Sequence, residues 1–216
     1  MKIVFLTAIL FSAFLLGCSS SFFSSENRKP LPETFYATVI TRDGAGSSIN
    51  LGGGYFLSCS HVIRDSLGRF DKKIYLTEEF ENASKTDSSV KIIDVDTIND
   101  LALLKSSELT NKTDIKFIKD PIFERVYWIQ PAFYSDEYLF FLISGRVSGY
   151  NKKNVFLDKP IFDGASGTGI FDEKGYLVGI AQSTFIYEKN LLFGCLVGPE
   201  IIYKFLIKNG IKIPKI

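Results

Sequence analysis

Short runs of β-branched and aromatic residues, separated by turn residues, follow one another from about residue 35 to residue 197. Such runs without intervening amphipathic helices predict an all-β protein, either a barrel or a sandwich. The predicted strands are residues 35–41, 53–59, 73–77, 90–95 and 101–105 in the first half, and 125–130, 138–148, 154–157, 169–171, 176–182 and 191–197 in the second. Gly, Asn and Asp residues at 42–44, 151–154 and 172–175 predict hairpin turns.

One helix is predicted at the C-terminal end of the chain. Pro199 suits the first helical position, and Gly210 suits the position after the last turn. An apolar stripe lies between them, formed by Ile201, Ile202, Phe205 and Leu206.

The first residues have the pattern of an export signal. Lys2 precedes an almost entirely apolar stretch at residues 3–16, which is shorter than the roughly 20 residues that span a bilayer. The stretch ends in Leu-Leu-Gly-Cys, which resembles the bacterial lipobox, whose cysteine is acylated and becomes the first residue after cleavage. We therefore predict a signal peptide at 1–17 and a lipid on Cys18; a plain signal peptide with an incidental cysteine is the alternative. Two or three acyl chains would anchor the protein stably.

The segment after Cys18 is rich in serine and proline and lacks periodicity, so residues 18–34 are predicted to be a flexible tether. The expected location is an exported, membrane-anchored lipoprotein on the periplasmic face or the cell surface. Ser19 resembles the signals that permit transfer to an outer membrane.

Charge and composition narrow the possible partners. Removal of residues 1–17 lowers Lys+Arg from 25 to 24, which equals Asp+Glu at 24, so no basic field points to nucleic acid. The chain is 46% hydrophobic and long enough to bury one or two cores. A break at 119–123 predicts a linker between two halves, at residues 35–119 and 120–216.

The single histidine of the chain, His61, is followed by Asp100 and then by Ser166. A serine hydroxyl needs a base to remove its proton, and a carboxylate that holds the imidazole improves the base. We therefore predict His61, Asp100 and Ser166 as a catalytic triad. Asp94 and Asp96 are also close in sequence, and each of the three aspartates could instead begin or end a strand.

These residues lie in motifs that resemble those of chymotrypsin-fold serine proteases, in particular the bacterial trypsin-like and Do-like types. The motifs are Gly-Tyr-Phe-Leu-Ser-Cys-Ser-His-Val-Ile, Asn-Asp-Leu-Ala-Leu-Leu-Lys, Asp-Gly-Ala-Ser-Gly and Gly-Tyr-Leu-Val-Gly-Ile, and the resemblance covers residues 35–208. It implies two six-stranded antiparallel β-barrels and a short C-terminal helix. His61 and Asp100 would come from the first barrel and Ser166 from the second. We expect a protease domain without a PDZ domain, acting on peptides or proteins.

The resemblance also implies an oxyanion hole formed by the backbone N–H groups of Gly164 and Ser166. The motif departs from the family pattern, however, because Ala165 replaces an acidic or amide residue, and Thr168 and Gly169 replace Gly and Pro. In the digestive members of the family, an acidic residue at this position pairs with a freshly cut N-terminus and so activates the enzyme. Ala165 cannot form this ion pair, so we do not expect that activation route. Two functions remain: a lipid-anchored serine endopeptidase, or a catalytically inactive trypsin-like lipoprotein that binds peptides or a partner.

By the same resemblance, the pocket for the substrate side chain is lined by residues 160–163 and 182–184, which include Pro160, Asp163, Gln182, Ser183 and Thr184. Only Asp163 could supply a carboxylate for Lys or Arg, so we expect a small or uncharged side chain. Phe162 and Phe185 either narrow this pocket or belong to the core.

The remaining cysteines, Cys59 and Cys195, are predicted to be buried free thiols, because a bridge would have to cross between the barrels. Cys59 lies too close to His61 in one extended strand to act as its nucleophile. One histidine without a Cys-x-x-Cys motif predicts no metal site, and we expect no cofactor.

Overall fold

A computed structural model describes residues 36–71, 73–77, 88–109, 115–118, 124–134, 137–187 and 191–213. The predicted signal peptide, Cys18, the tether and the linker at 119–123 lie outside the described residues. No helix in the described part of the chain is long and apolar enough to cross a membrane.

The first half forms a closed, six-stranded antiparallel barrel in the order β1-β2-β3-β6-β5-β4. Its strands are β1 (Tyr36–Ile40), β2 (Ala45–Gly52), β3 (Tyr55–Ser58), β4 (Tyr75–Thr77), β5 (Ser88–Asp96) and β6 (Leu101–Ser106). Closure pairs β1 with β4, at Val39 opposite Leu76. The predicted turn at 42–44 connects β1 to β2, which pair from Ile40 opposite Ala45 onward.

The second half forms another ring of six antiparallel strands. A short strand, β7 (Lys116–Phe117), precedes it, and the ring contains β8 (Arg125–Tyr134), β9 (Glu137–Tyr150), β10 (Asn154–Leu157), β11 (Gly169–Asp172), β12 (Tyr176–Tyr187) and β13 (Leu191–Val197). The order is β11-β8-β9-β10-β13-β12, and pairing of β11 with β12 closes it. β7 adds to β12 as a parallel strand. The prediction of two six-stranded barrels is confirmed.

The predicted C-terminal helix is also confirmed, as α1 (Pro199–Lys208) with proline in its first turn. Gly210 adopts a φ of 73° just beyond it, a backbone angle that suits glycine. The helix docks on the first barrel, because Lys208 Nζ and Asn209 Nδ2 each donate a 2.9 Å hydrogen bond to Asp94.

Packing on both faces of β6 explains why its first four residues, Leu-Ala-Leu-Leu, are all apolar. Phe56, Ala102 and Leu104 belong to a cluster inside the first barrel. Leu101 and Leu103, which alternate with the last two, belong instead to a cluster that also includes residues of the second barrel and of α1. Because successive side chains of a strand point to opposite faces, both faces of β6 are buried, one inside its barrel and one between the barrels.

The sequence pattern missed two strands, β2 and β7. β7 has only two residues. β2 reads Ala-Gly-Ser-Ser-Ile-Asn-Leu-Gly, and its inward positions are filled by small polar residues rather than by β-branched apolar ones. Ser47, Ser48 and Asn50 are nevertheless buried, at 7%, 0% and 0% exposure. Such residues form a strand here because their polar atoms are satisfied by hydrogen bonds, which hydrophobic periodicity does not detect.

Candidate active site

His61 and Asp100 meet at one edge of the first barrel. His61 lies in the turn after β3, and Asp100 ends the turn between β5 and β6. The Nδ1 atom of His61 is 2.7 Å from Asp100 Oδ2. The backbone N–H of His61 donates to the other carboxylate oxygen, Oδ1, at 2.9 Å. The carboxylate therefore fixes both the imidazole ring and the backbone that carries it.

Asp100 is held in an unusual conformation by its neighbour Ser60. Its φ of 58° is the only positive value of a non-glycine residue among those described, and it lies in a region that aspartate tolerates better than most residues. Ser60 donates from its backbone N–H to the Asp100 carbonyl at 3.2 Å and from its hydroxyl to Oδ1 at 2.8 Å. Strain of this kind persists where the surrounding structure over-determines it.

The carboxyl of Asp100 stays ionised despite its burial. Burial raises its pKa. Hydrogen bonds from the His61 ring, the Ser60 hydroxyl and the His61 backbone, together with the charge of His61, lower the pKa by a larger amount, so the net pKa lies below the ordinary value. Asp100 is therefore a carboxylate throughout the neutral range, as an acceptor for Nδ1–H must be.

The other two nearby aspartates have different partners. Asp94 binds Lys208 and Asn209 of the C-terminal region. Asp96 accepts hydrogen bonds from the backbone N–H groups of Ile98 and Asn99, within its own turn. Of the three candidates in sequence, Asp100 is the one that contacts His61.

Ser166 comes from the second barrel and is linked to this pair through Gln182. The hydroxyl of Ser166 donates to the Gln182 carbonyl at 3.3 Å. The side-chain amide of Gln182 donates to Asp100 Oδ2, also at 3.3 Å. The structure therefore connects Ser166 to the His61–Asp100 pair through one residue, Gln182, with the serine hydroxyl turned toward the Gln182 carbonyl group. The resemblance predicts Gln182 as a residue of the substrate pocket; in the structure its side-chain amide is hydrogen-bonded to Asp100.

The segment before Ser166 forms a type II β-turn. The N–H of Ala165 donates to the Phe162 carbonyl at 3.2 Å, and Gly164 at the third position has a φ of 86°. A type II turn differs from a type I turn in the positive φ of its third residue and in the reversed direction of its central peptide. This position therefore requires glycine. The N–H groups of Gly164 and Ser166 have no acceptor among the described residues, so both are available to a ligand.

The predicted pocket walls are tied together by Thr184. Its hydroxyl accepts a hydrogen bond from the Ile161 N–H at 2.9 Å and donates to the Ile161 carbonyl. Ile161 is only 6% exposed and packs in the core of the second barrel. Of the other predicted pocket residues, Pro160 is half-buried, and Ser183 and Asp163 are exposed. Asp163 therefore provides no buried carboxylate.

Phe162 and Phe185 each directly follow one residue of the Thr184–Ile161 contact. They are 60% and 52% exposed. The prediction that they could be core residues is wrong, because both follow residues of the pocket wall and point outward.

Both remaining cysteines are buried free thiols, as predicted from their role as small apolar residues. Cys59 donates from its thiol to the Ala181 carbonyl at 3.1 Å. Burial, together with the charge of Asp100, raises the pKa of this thiol well above its usual value. Cys59 is thus a neutral packing residue beneath His61 and not a thiolate nucleophile.

Cys59, His61 and Asp100 have ligand atoms within 4.8 Å of one another, which is the spacing of a three-ligand metal set. Each group already has a protein partner, however: the imidazole and carboxylate bond each other, and the thiol bonds Ala181. A metal would have to displace these hydrogen bonds, so we describe the set as part of the hydrogen-bonded site.

Sequence reasoning missed two residues of this site, Ser60 and Ser47. Ser60 precedes His61 directly, which was the available signal. Ser47 lies in the missed strand β2 and forms hydrogen bonds with the loop that carries Ser166.

Comparison with known proteins identifies the family of the chain. The family model "Trypsin-like peptidase domain" matches residues 44–180, more than half of the chain. The chain therefore belongs to the trypsin-like peptidase domain family, and by family and fold it is a serine endopeptidase. A search of curated protein sequences gives no match.

Solved structures share the fold at low sequence identity. The active form of the Rv3671c protease from M. tuberculosis is 14% identical over 84% of this chain and 83% of its own, with a TM-score of 0.66. A Glu endopeptidase is 12% identical over 86% and 94%, with a TM-score of 0.68. The serine endoprotease from Yersinia pestis is 21% identical over 82% of this chain but only 63% of its own, with a TM-score of 0.64. At these identities the likeness concerns the fold.

Proposed function

We propose that the protein cleaves peptide bonds through His61, Asp100 and Ser166, and that a lipid on Cys18 anchors it to a bacterial membrane. The observation that supports the catalytic part most is the 2.7 Å contact between His61 Nδ1 and Asp100. Because Nδ1 faces the carboxylate, the other ring nitrogen, Nε2, is left to accept a proton from a serine hydroxyl. The half-exposed imidazole remains accessible to substrate.

The proposed reaction begins with rotation of the Ser166 side chain. Its 3.3 Å hydrogen bond to the Gln182 carbonyl is long and therefore weak, so breaking it to turn the hydroxyl toward His61 Nε2 costs little free energy. Catalytic hydrogen bonds are often loose before substrate binds and tighten in the complex. In the attack, a bond forms between Ser166 Oγ and the peptide carbonyl carbon, while His61 takes the hydroxyl proton.

The intermediate then collapses as the C–N bond breaks and His61 returns its proton to the leaving amine. Water hydrolyses the resulting acyl-enzyme by the same route. In this proposal the N–H groups of Gly164 and Ser166, which have no acceptor among the described residues, stabilise the oxyanion in both steps, and one such donor contributes about 2.7–4 kcal/mol.

The preferred substrate in this proposal has a small, uncharged side chain before the cleaved bond. The Thr184 hydroxyl links the two walls of the predicted pocket by hydrogen bonds to both polar atoms of one Ile161 backbone unit. Walls at hydrogen-bond distance leave no room for a long side chain between them. Asp163, the one carboxylate that could have selected Lys or Arg, is exposed and not buried in the pocket.

A fluorophosphonate probe, which reacts with activated serines, should label residues 31–216, the unit that contains the described strands. Ser166→Ala should abolish labelling, and His61→Ala should lower turnover by about 10⁶-fold while the circular dichroism of an all-β fold is retained. Ser148→Ala, at an exposed serine of β9, should label like the wild type. A well-folded wild type that never labels, even with peptides present, would instead support the peptide-binding alternative.

Thr184→Ala should widen the specificity of the enzyme, because it removes the hydroxyl that links the pocket walls. We expect kcat/KM to rise about ten-fold for peptides with leucine or phenylalanine before the cleaved bond, and to change little for alanine. A peptide library with one variable position measures this. Equal changes for all side chains would contradict the assignment of Thr184 to the pocket.

Lipid attachment should depend on Cys18 alone. Cells grown with alkyne-palmitate should yield labelled protein in the membrane fraction, and Cys18→Ala should lose both the label and the membrane association. Cys59→Ala and Cys195→Ala, at the two buried cysteines, serve as controls and should remain labelled. Membrane association of Cys18→Ala would show that the anchor lies elsewhere.

A further inference from the structure

We propose that Ser47 is a positioning residue that fastens the nucleophile loop, residues 164–167, to the first barrel. It would thereby set the place of Ser166 relative to His61 and Asp100, which belong to that barrel. This inference rests on the proposed function, because it assigns Ser47 a part in the catalysis proposed for Ser166.

Ser47 makes two hydrogen bonds to the loop across the boundary between the barrels. Its backbone N–H donates to the carbonyl of Ser166 at 2.8 Å. Its hydroxyl donates to the carbonyl of Gly164, also at 2.8 Å. These carbonyls belong to the two residues whose N–H groups are left free for the oxyanion. Ser47 therefore holds both of those residues by their carbonyl groups.

The loop also lies in direct contact with Ser47 at Gly167. A Cβ atom at position 167 would lie 1.9 Å from the Ser47 carbonyl oxygen, so no side chain fits there. Gly167 has a φ of 94°, which also requires glycine. The Ser47 carbonyl itself accepts a 2.7 Å hydrogen bond from Ser58 of β3, which fixes Ser47 within its own barrel. The loop thus rests on a part of the first barrel that cannot easily shift.

Hydrogen bonds and packing, rather than charges, keep this loop in place. Among the described residues, none of 163–168 forms an ion pair. Ala165, at the position where an acidic residue would have supplied a charge, is fully buried in the core of the second barrel. The second barrel therefore holds the loop through Ala165, and β2 holds it through Ser47.

The neighbouring serine provides a matched control. Ser48 is fully buried, and its hydroxyl donates at 3.0 Å to the Ala37 carbonyl of β1, within the first barrel. Ser47→Ala and Ser48→Ala therefore remove the same hydroxyl group from adjacent buried positions of one strand. The first change removes a hydrogen bond to the nucleophile loop, and the second removes a hydrogen bond within the first barrel.

The test is steady-state kinetics of the full chain with a chromogenic peptide. Ser47→Ala should lower kcat about ten-fold, the effect of one lost buried hydrogen bond, with KM nearly unchanged because the substrate does not contact this hydroxyl. Ser47→Thr, which keeps the hydroxyl, should restore most of the rate, and Ser48→Ala should leave kcat within about two-fold. Equal losses of kcat in Ser47→Ala and Ser48→Ala would overturn the proposal, because the role of Ser47 would then be stability alone.

Amide hydrogen exchange tests the same inference without any catalysis. Ser47→Ala should speed exchange at Ala165 and Gly167, the loop residues whose N–H groups are hydrogen-bonded, since the attachment to the first barrel is weakened, while Ser48→Ala should not. If the wild type never reacts with a fluorophosphonate but this difference is found, the proposed function fails and the attachment stands. Unchanged exchange in Ser47→Ala would refute the attachment even in an active enzyme.

Discussion

The largely buried carboxylate of Asp100 is the charge around which the rest of the site is arranged. A carboxylate removed from water needs several hydrogen-bond donors, or it takes up a proton. The first barrel supplies the His61 ring, the His61 backbone and the Ser60 hydroxyl, and the second barrel supplies the Gln182 amide. Satisfying this one charge therefore fixes the imidazole and also links the two barrels at the point where their residues must cooperate.

The nucleophile loop follows a different principle. It contains no ion pair among its described residues and is positioned by glycines, a buried alanine and neutral hydrogen bonds. The type II turn depends on Gly164, and the close approach of Gly167 to Ser47 depends on the absence of a side chain. Small residues allow backbones of the two barrels to touch directly, so the loop needs no charged attachment. This arrangement accounts for Ala165 at a position where the family pattern has an acidic or amide side chain.

Much of the fold could be predicted from sequence because hydrophobic alternation is a direct consequence of burial. The apolar run of β6 and the stripe of α1 are examples, and His61 was identifiable because the chain contains no other imidazole. β2 could not be predicted, since Ser47 and Ser48 are buried by virtue of long-range hydrogen bonds to residues 164 and 37. The role of Gln182 was missed for a related reason: which way a side chain points from a strand next to an active site depends on partners far away in sequence. The choice of Asp100 over Asp94 and Asp96 likewise becomes clear only when the partners of all three are visible.

In the proposed reaction, Ser166, His61 and the N–H groups of Gly164 and Ser166 all act on one tetrahedral intermediate. A crystal structure of the protein with a peptide boronate, which mimics that intermediate, would show whether they do. We expect boron bonded to Ser166 Oγ, one boronate oxygen about 2.7–3.1 Å from both N–H groups, and His61 Nε2 within hydrogen-bond distance of another. A boronate that binds without a bond to Ser166, or whose oxygens face away from Gly164, would contradict the account.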